Sequence, residues 1–279
     1  MKLLGKLSLI ILVIFPFTSY ANSFRDNIDS VRGMLFLNRH YTNGIILGCN
    51  KQHRCMILSV AHSCNYNLLL SKLVDLLRLG RIDRTTFKAR IEYLASLVKQ
   101  RRLCSGILAE DSTYFRLAGI DFDRDLALFS INLQDNYVPT VTLAIKTPSP
   151  KTRIYMLLRA HRISQIITLF SKVGLRYLNT ENKFELVQAQ FIGGPGGSGS
   201  PIFEEQTDTL IGIFCAELLR EGSPMAPTRA SFFVSTEEIR SFLQKAVPYW
   251  RKMQNDSESY RPYCVGQDDL CKMVRREIQ

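Results

Sequence analysis

The period of the hydrophobic positions changes three times along the chain. Between residues 22 and 64, short apolar runs (MLFLN, GIILGCN and CMILSV) alternate with polar turns, a pattern that predicts β-strands. From 65 to 103 the leucines recur at helical spacing. Gly80 is placed to end the first apolar stripe, and a second stripe begins at Phe87. We therefore predict a helical hairpin inserted into a β protein at about residues 65–103.

Strands resume after the insertion. YFRLAGI, LALFSI and TVTLAI precede the segment TPSPK (Thr147 to Lys151), whose two prolines indicate a connector between the two groups of strands, placed at about residues 139–151. The runs that follow it are RIYMLLR, ISQIITLF, FELVQAQFI, SPIFEE, TLIGIFCAE and ASFFVS. A last helix is predicted from Thr236 to Lys245, with acidic residues in its first turn. Residues 246–279 are polar and are interpreted as a peripheral C-terminal extension. Two groups of strands predict an all-β fold with a helical insertion, built as two barrels or as a sandwich.

The N-terminus has the pattern of a secretory signal peptide. Lys2 and Lys6 precede the apolar run LSLIILVIFPF, and small residues follow it, so we expect residues 1–21 to be removed by cleavage after Ala21. The protein is then secreted or periplasmic. The run is shorter than the roughly 20 residues that span a bilayer, so no transmembrane anchor is expected. The alternatives are an uncleaved anchor and a buried strand.

All 7 cysteines lie in the expected mature chain, where an oxidising compartment favours disulfides. Cys49 and Cys55 flank a polar turn and could pair across a hairpin, and Cys64 and Cys104 bracket the helical insertion and could join its two ends. A third pair, Cys264 with Cys271, could form in the C-terminal extension. Cys215 then remains an unpaired thiol in an apolar strand. A bond from Cys49 or Cys55 to Cys64 is the alternative.

Three short segments hold candidate catalytic residues. GGPGGSGSPIF places Ser198 among glycines, which leave backbone amides uncrowded and able to converge on one oxygen atom. CMILSVAHSC ends an apolar strand just before His62, and in DFDRDLALFSI Asp125 opens an apolar strand. Taken singly, the three segments fit a flexible turn, a structural histidine and a turn aspartate better than catalysis.

In the order His, Asp, Ser, however, the segments together resemble trypsin-like serine peptidases. SVAHS stands where that family has a TAAHC-like segment, RDLALF matches D-[IL]-A-L-[LF], and GGSGSPIF matches G-x-S-G-[GS]-P. The G-x-S-G-S-P form is closest to bacterial glutamyl-endopeptidase-like and HtrA-like members. The resemblance implies a chymotrypsin-like fold over residues 22–245, with two six-stranded antiparallel β-barrels and a C-terminal helix.

The resemblance also implies a mechanism. Ser198 would be the nucleophile, His62 the general base and then the acid, and Asp125 the group that orients the imidazole. The backbone amides of Gly196 and Ser198 would form the oxyanion hole. The implied activity is that of a secreted endopeptidase that forms an acyl-enzyme with protein or peptide substrates and needs no cofactor or metal. A catalytically inactive homologue that acts as an exported binding module is the alternative, because Pro195 and Gly197 depart from the pancreatic pattern.

The resemblance also implies a specificity pocket, whose positions are found by counting from the nucleophile. The floor would be Ile192 and the wall Phe214, Cys215 and Ala216, which favours an aliphatic or aromatic side chain before the cut. Glu217 at the rim would favour Lys or Arg instead.

The order of residues along the chain and the lack of the required motifs exclude several other classes of enzyme. All 4 histidines precede Ser198, whereas an α/β-hydrolase needs its histidine after the serine. No lysine follows the glycines as in a phosphate-binding loop, and no HExxH or paired CxxC supplies zinc ligands.

The chain is basic, with 36 Lys+Arg against 25 Asp+Glu and a net charge of +11. The predicted insertion contributes nine basic and three acidic residues, so its net charge is 9 − 3 = +6. We interpret these charges as a solvated helical face. An acidic or polyanionic partner is the alternative. Nucleic acid is not expected as a partner, because no aromatic platform with basic flanks is present.

Overall fold

Two seven-stranded β-sheets dominate the computed structural model, which describes residues 24–100, 102–133, 141–160, 165–179, 184–191, 196–218, 230–255 and 262–265. Side chains of both sheets meet in one buried cluster, which includes Val31 and Leu58 from the first sheet and Leu157 and Phe203 from the second. The two sheets therefore pack face to face through apolar side chains, and the candidate site lies where they meet.

The first sheet forms a closed barrel. Its strands are β1 (Val31–Phe36), β2 (Tyr41–Cys49), β3 (Arg54–Ser59), β4 (Gly106–Leu108), β5 (Tyr114–Asp121), β6 (Leu126–Asn132) and β14 (Tyr263–Val265). Their order is β14-β5-β4-β1-β2-β3-β6, and an additional pairing of β5 with β6 closes six antiparallel strands. Inside the barrel the rings of Phe36, Phe115 and Phe129 meet edge to face at 5.0–5.6 Å, a favourable aromatic geometry.

The second sheet is also antiparallel. Its strands are β7 (Arg153–Arg159), β8 (Ile166–Lys172), β9 (Arg176–Asn179), β10 (Phe184–Ala189), β11 (Pro201–Glu204), β12 (Leu210–Leu218) and β13 (Ala230–Ser235), in the order β8-β7-β11-β12-β13-β10-β9. The segment that follows β8 reaches β10, because the Gly174 amide donates to the Gln188 carbonyl at 2.8 Å. The predicted chymotrypsin-like arrangement is confirmed. The first sheet contains the expected six-stranded antiparallel barrel, to which β14 adds a strand parallel to β5, and the second sheet has seven strands where a six-stranded barrel was expected.

The inserted hairpin lies where helical spacing predicts it. Helix α1 (Tyr66–Arg78) begins at Asn65, whose side chain accepts from the Leu68 amide at 2.9 Å. Helix α2 (Arg84–Lys99) begins at Asp83, which accepts from the Thr86 amide at 2.6 Å. Such caps satisfy amides that the first helical turn leaves without partners. The leucines of the two stripes form their own buried cluster, which consists of Leu69, Leu73, Leu94, Leu97 and Leu103.

The C-terminal helix α3 (Thr236–Asn255) is ten residues longer than predicted. Ala246, Trp250 and Met253 are buried in the cluster between the sheets, and the Trp250 indole donates to the Ser130 hydroxyl at 3.2 Å. Residues 246–255 are therefore part of the fold core and not a peripheral extension. Their spacing is helical, but Pro248 and the surrounding charges hide the pattern in the sequence.

One predicted strand is wrong. TVTLAI forms only an isolated bridge between Leu143 and Leu210 in the described residues, and Ile145 is 83% exposed. The segment runs from one sheet to the other, so it does not lie between two neighbouring strands as a strand inside a sheet does. No helix in the described ranges is long and apolar enough to cross a membrane.

The disulfide predictions have mixed outcomes. Cys49 and Cys55 are bonded across the β2–β3 hairpin, where they face each other in register. Cys64 and Cys104 are thiols, so their predicted bond is wrong; both are buried in the barrel core as apolar side chains. Cys264 is disulfide-bonded, and its expected partner Cys271 lies outside the described residues.

Candidate active site

His62 and Asp125 meet because strands β3 and β6 are neighbours. Ser59 at the end of β3 pairs with Ala127 at the start of β6. The chain then turns at each end, and the Ala61 amide donates to the Asp125 carbonyl at 3.2 Å. Asp125 itself takes a left-handed backbone conformation, with φ of 56°, which is uncommon for a residue with a side chain. Local strain is thus present where the carboxylate turns toward the histidine.

The Asp125 carboxylate holds His62 twice. One oxygen, Oδ1, accepts from the His62 backbone amide at 2.7 Å, and Oδ2 lies 2.8 Å from the ring Nδ1. The side chains are only 21% and 23% exposed, so water screens the pair weakly. With Nδ1–H donating to the carboxylate, the basic lone pair of the imidazole lies on Nε2. This arrangement suits a general base that works through Nε2.

Ser198 lies on a loop that needs glycine at two positions. Gly196 and Gly199 have φ of 88° and 80°, in the left-handed region that favours residues without Cβ. A Cβ on Gly199 would also collide with the carbonyl oxygen of Asn43. The glycine pattern in the sequence thus has two separate physical causes, backbone conformation and the close approach of β2.

The loop is held between β2 and β12. On the β2 side, the Asn43 amide donates to the Ser198 carbonyl at 2.8 Å, and the Thr42 hydroxyl donates to the same oxygen. On the β12 side, the Gly199 amide donates to the Phe214 carbonyl at 2.8 Å. Residues from both sheets therefore fix the backbone of the candidate nucleophile.

The Asn43 side chain is fully buried and connects this loop to β7. Its Nδ2 donates to the Gly196 carbonyl at 2.7 Å, and its Oδ1 accepts from the Arg159 amide at 3.0 Å. Sequence reasoning missed Asn43 and Thr42. The available signal was two polar residues inside an otherwise apolar strand, HYTNGIILG.

The amides of Gly196 and Ser198 have no acceptor among the described residues. Because a backbone amide without an acceptor is costly inside a protein, two such amides on one short loop can together bind an oxygen atom that carries negative charge. In the same described part of the chain, the Ser198 hydroxyl makes no hydrogen bond to His62.

His40 is a second histidine at the site. Its ring lies 6.1 Å from the His62 ring in an edge-to-face arrangement. Burial, followed by the nearby charges of Lys72 and His62, lowers the pKa of His40 to about 4. His40 is therefore neutral at physiological pH and adds no positive charge beside His62.

The predicted specificity pocket is described only in part. Phe214 is buried in β12, Ala216 is exposed, and Cys215 lies in a bulge between them. Burial, together with the negative charge of Asp125, raises the pKa of the Cys215 thiol. Cys215 is thus a protonated thiol close to Asp125. Ile192 and the Glu217 side chain lie outside what the structure describes.

Comparisons with known proteins agree on the fold. No family model matches the chain, and no curated protein matches its sequence. Among solved structures, it is similar to a variant of the HtrA-type protease AlgW with tripeptide (TM-score 0.53, 15% identity, 81% of this chain). It is also similar to Deg5 (TM-score 0.51, 15% identity, 84% of this chain). A third similar structure is the inactive form of the Rv3671c protease (TM-score 0.50, 10% identity, 82% of this chain). The chain covers 62% of the AlgW chain, 94% of the Deg5 chain and 95% of the Rv3671c chain.

Proposed function

We propose that this protein is an exported serine endopeptidase that uses His62, Asp125 and Ser198 as a catalytic triad. The serine protease fold supports the class. The observation that carries the proposal is the double contact of Asp125 with His62, beside a glycine-shaped loop that presents Ser198. The same three residues carry the sequence resemblance.

The mechanism assigns one task to each group. His62 Nε2 takes the proton of the Ser198 hydroxyl as its oxygen attacks the substrate carbonyl, and the amides of Gly196 and Ser198 bind the oxyanion. His62 then gives that proton to the leaving nitrogen as the carbon–nitrogen bond breaks. Water, activated by the same imidazole, releases the acyl group from Ser198. Asp125 orients the ring and stabilises its transient charge.

The described wall of the cleft supports a preference for an apolar side chain before the cut. Phe214 and Ala216 expose no charge there, and Cys215 is a protonated thiol. A set of chromogenic peptides that differ only at this position tests the preference. We expect Phe or Leu peptides to be cleaved faster than Lys or Arg peptides; faster cleavage of the basic peptides would assign the selectivity to Glu217.

Export is part of the proposal. The signal-peptide pattern predicts it, and the Cys49–Cys55 disulfide is consistent with an oxidising compartment. N-terminal sequencing of the purified protein from its natural source should begin at Asn22. A protein that retains residues 1–21 in the cytoplasm would contradict this part of the proposal.

A fluorophosphonate probe tests the catalytic proposal directly. It should label the wild-type protein, and Ser198→Ala should abolish labelling. Ser200→Ala is the matched control, because Ser200 is a buried serine two residues along the same chain segment. This variant should still label. Labelling that survives Ser198→Ala would contradict the assignment.

The second candidate function is an inactive homologue that binds peptides without cleaving them. The observation that favours it is the lack of a hydrogen bond between the Ser198 hydroxyl and His62 among the described residues. Resting enzymes also show such gaps before substrate binds. A folded wild-type protein that neither labels nor cleaves peptides would select this candidate.

A further inference from the structure

A groove of about 650 Å³ separates the helical hairpin from the turn that joins β1 to β2. It has an apolar floor and a cationic rim. The floor contains Leu69, Leu73 and Leu94, and the rim contains Arg39, Lys72 and Arg90. No residue of the described lining carries a carboxylate.

The rim cations have no acidic partner in the described part of the chain. Within the described residues, none of the three forms an ion pair with Asp or Glu. Three positive charges around one groove raise the local concentration of negatively charged groups. The groove therefore complements an acidic segment that also carries an apolar side chain for the leucine floor.

The wall of the groove is linked to the candidate active site. Arg39 is next to His40, whose ring contacts the His62 ring edge to face at 6.1 Å. Lys72 acts electrostatically on the same His40 from helix α1. In addition, the Asn38 side chain donates to the Ser63 carbonyl at 2.9 Å, which joins the groove wall to the turn that holds His62.

The position of the groove assigns it to one half of a substrate. Ser198 is held between β12 on one side and β2 on the other. The described wall for the acyl half lies along β12, whereas the groove opens beyond His40 at the start of β2. His62 must protonate the leaving nitrogen, so the leaving segment begins beside the imidazole, on the side where His40 and Arg39 lie.

The groove is preformed. The Tyr93 hydroxyl of helix α2 donates to the Leu37 carbonyl at 2.9 Å, and the Leu37 amide donates to the Ser105 carbonyl at 2.9 Å. The leucine cluster beneath fixes the two helices against this turn. A bound segment thus meets walls that are already in place, which lowers the entropic cost of binding.

We propose that this groove binds the leaving-group segment of the substrate and selects acidic side chains there. The inference rests on the proposed endopeptidase activity. It adds that substrate choice is made on both sides of the scissile bond, by apolar contacts along β12 and by charge at the helical hairpin.

Two internally quenched peptides with the same acyl half test this inference. One carries Glu at the second to fourth positions after the cut, and the other carries Lys there. We expect the wild-type kcat/KM to be about tenfold higher for the Glu peptide, because each exposed ion pair contributes modestly and several act together. Because salt screens exposed charges, the ratio should fall toward one at about 1 M salt.

Charge reversal locates the effect. The double variant Lys72→Glu and Arg90→Glu should invert the preference. The double variant Lys88→Glu and Lys99→Glu changes the net charge of the same hairpin equally at residues outside the groove, and it should keep the wild-type ratio. Equal cleavage of the two peptides by the wild type, or equal effects of the two double variants, would overturn the inference.

An activated ester without a peptide leaving group separates this inference from the proposed function. If the wild type and all variants hydrolyse the ester equally, and the wild type cleaves the Glu and Lys peptides at the same rate, only the groove assignment fails. If the folded wild type hydrolyses neither ester nor peptide, the proposed function fails and the groove assignment fails with it.

Discussion

The Asn43 side-chain amide donates a 2.7 Å hydrogen bond to the Gly196 carbonyl, two residues before Ser198. Asn43 belongs to the first sheet and Gly196 to the loop that enters the second, so this bond sets the orientation of the nucleophile loop across the interface. The carbonyl of Gly196 points toward Asn43, and its amide has no acceptor in the described residues. A side chain outside the predicted triad therefore positions the candidate oxyanion hole.

We predict that Asn43→Ala lowers kcat more than it raises KM. A buried hydrogen bond contributes about 1–3 kcal/mol when its partner is left unsatisfied, so kcat should fall by roughly tenfold or more. Asn27→Ala is the matched control, because Asn27 is also a buried asparagine but bonds to Tyr155 and Asp208. Both variants should lower stability in urea unfolding. Equal kcat values in the two would contradict a positioning role for Asn43.

We predict that Asp125→Asn lowers kcat by about 10⁴, the size of effect known for the Ser-His-Asp triad. The asparagine cannot accept at both contacts as the carboxylate does and no longer stabilises the imidazolium. Asp123→Asn changes a carboxylate two residues away, with no contact to His62 among the described residues, and should leave kcat unchanged. Steady-state kinetics on one peptide substrate is the measurement. A loss below tenfold in Asp125→Asn would count against the assignment.

We predict that His40 makes the protein less stable below about pH 6.5. Burial and the charges of Lys72 and His62 lower its pKa to about 4, so between pH 6.5 and 4 the unfolded chain binds a proton that the folded protein does not. The free energy of unfolding should therefore fall as pH decreases through this window. Urea unfolding at several pH values should show a smaller fall in His40→Gln. If the free energy of unfolding depends on pH equally steeply in His40→Gln and in the wild type, groups other than His40 cause the fall.

Asp208 should have the opposite pH dependence. It is buried in the β11–β12 turn with φ of 54°, and it accepts from the Tyr155 hydroxyl at 2.7 Å. Burial raises its pKa, so the folded protein holds the proton more tightly and stability from this group falls as pH rises above about 3.8. Asparagine also tolerates this backbone conformation.

The stability of Asp208→Asn relative to wild type should therefore increase between about pH 3 and pH 6. Urea unfolding at the two pH values measures the difference. A constant difference would show that the Asp208 carboxyl does not change its proton affinity on folding.

Periodicity alone was sufficient for an all-β fold and for the inserted hairpin, whereas the chymotrypsin-like arrangement was predicted from the resemblance of the three segments. Leucines at helical spacing and alternating apolar runs carry that information within a few residues, and so does the capping pattern at Asn65 and Asp83. The extra length of α3 was not predictable, because Trp250 and Met253 are favourable there only when both sheets are present to bury them.

The sequence by itself also placed His62, Asp125 and Ser198 in recognisable local settings, because glycines and strand ends leave signatures within single segments. Tertiary structure alone decided that β3 lies beside β6, that Asn43 reaches the Gly196 carbonyl, and that Cys64 and Cys104 are buried thiols. Tertiary structure alone also decided the groove between the hairpin and the β1–β2 turn. Each of these features depends on contacts between distant residues, and no local pattern specifies which distant side chains the packed sheets will bring together.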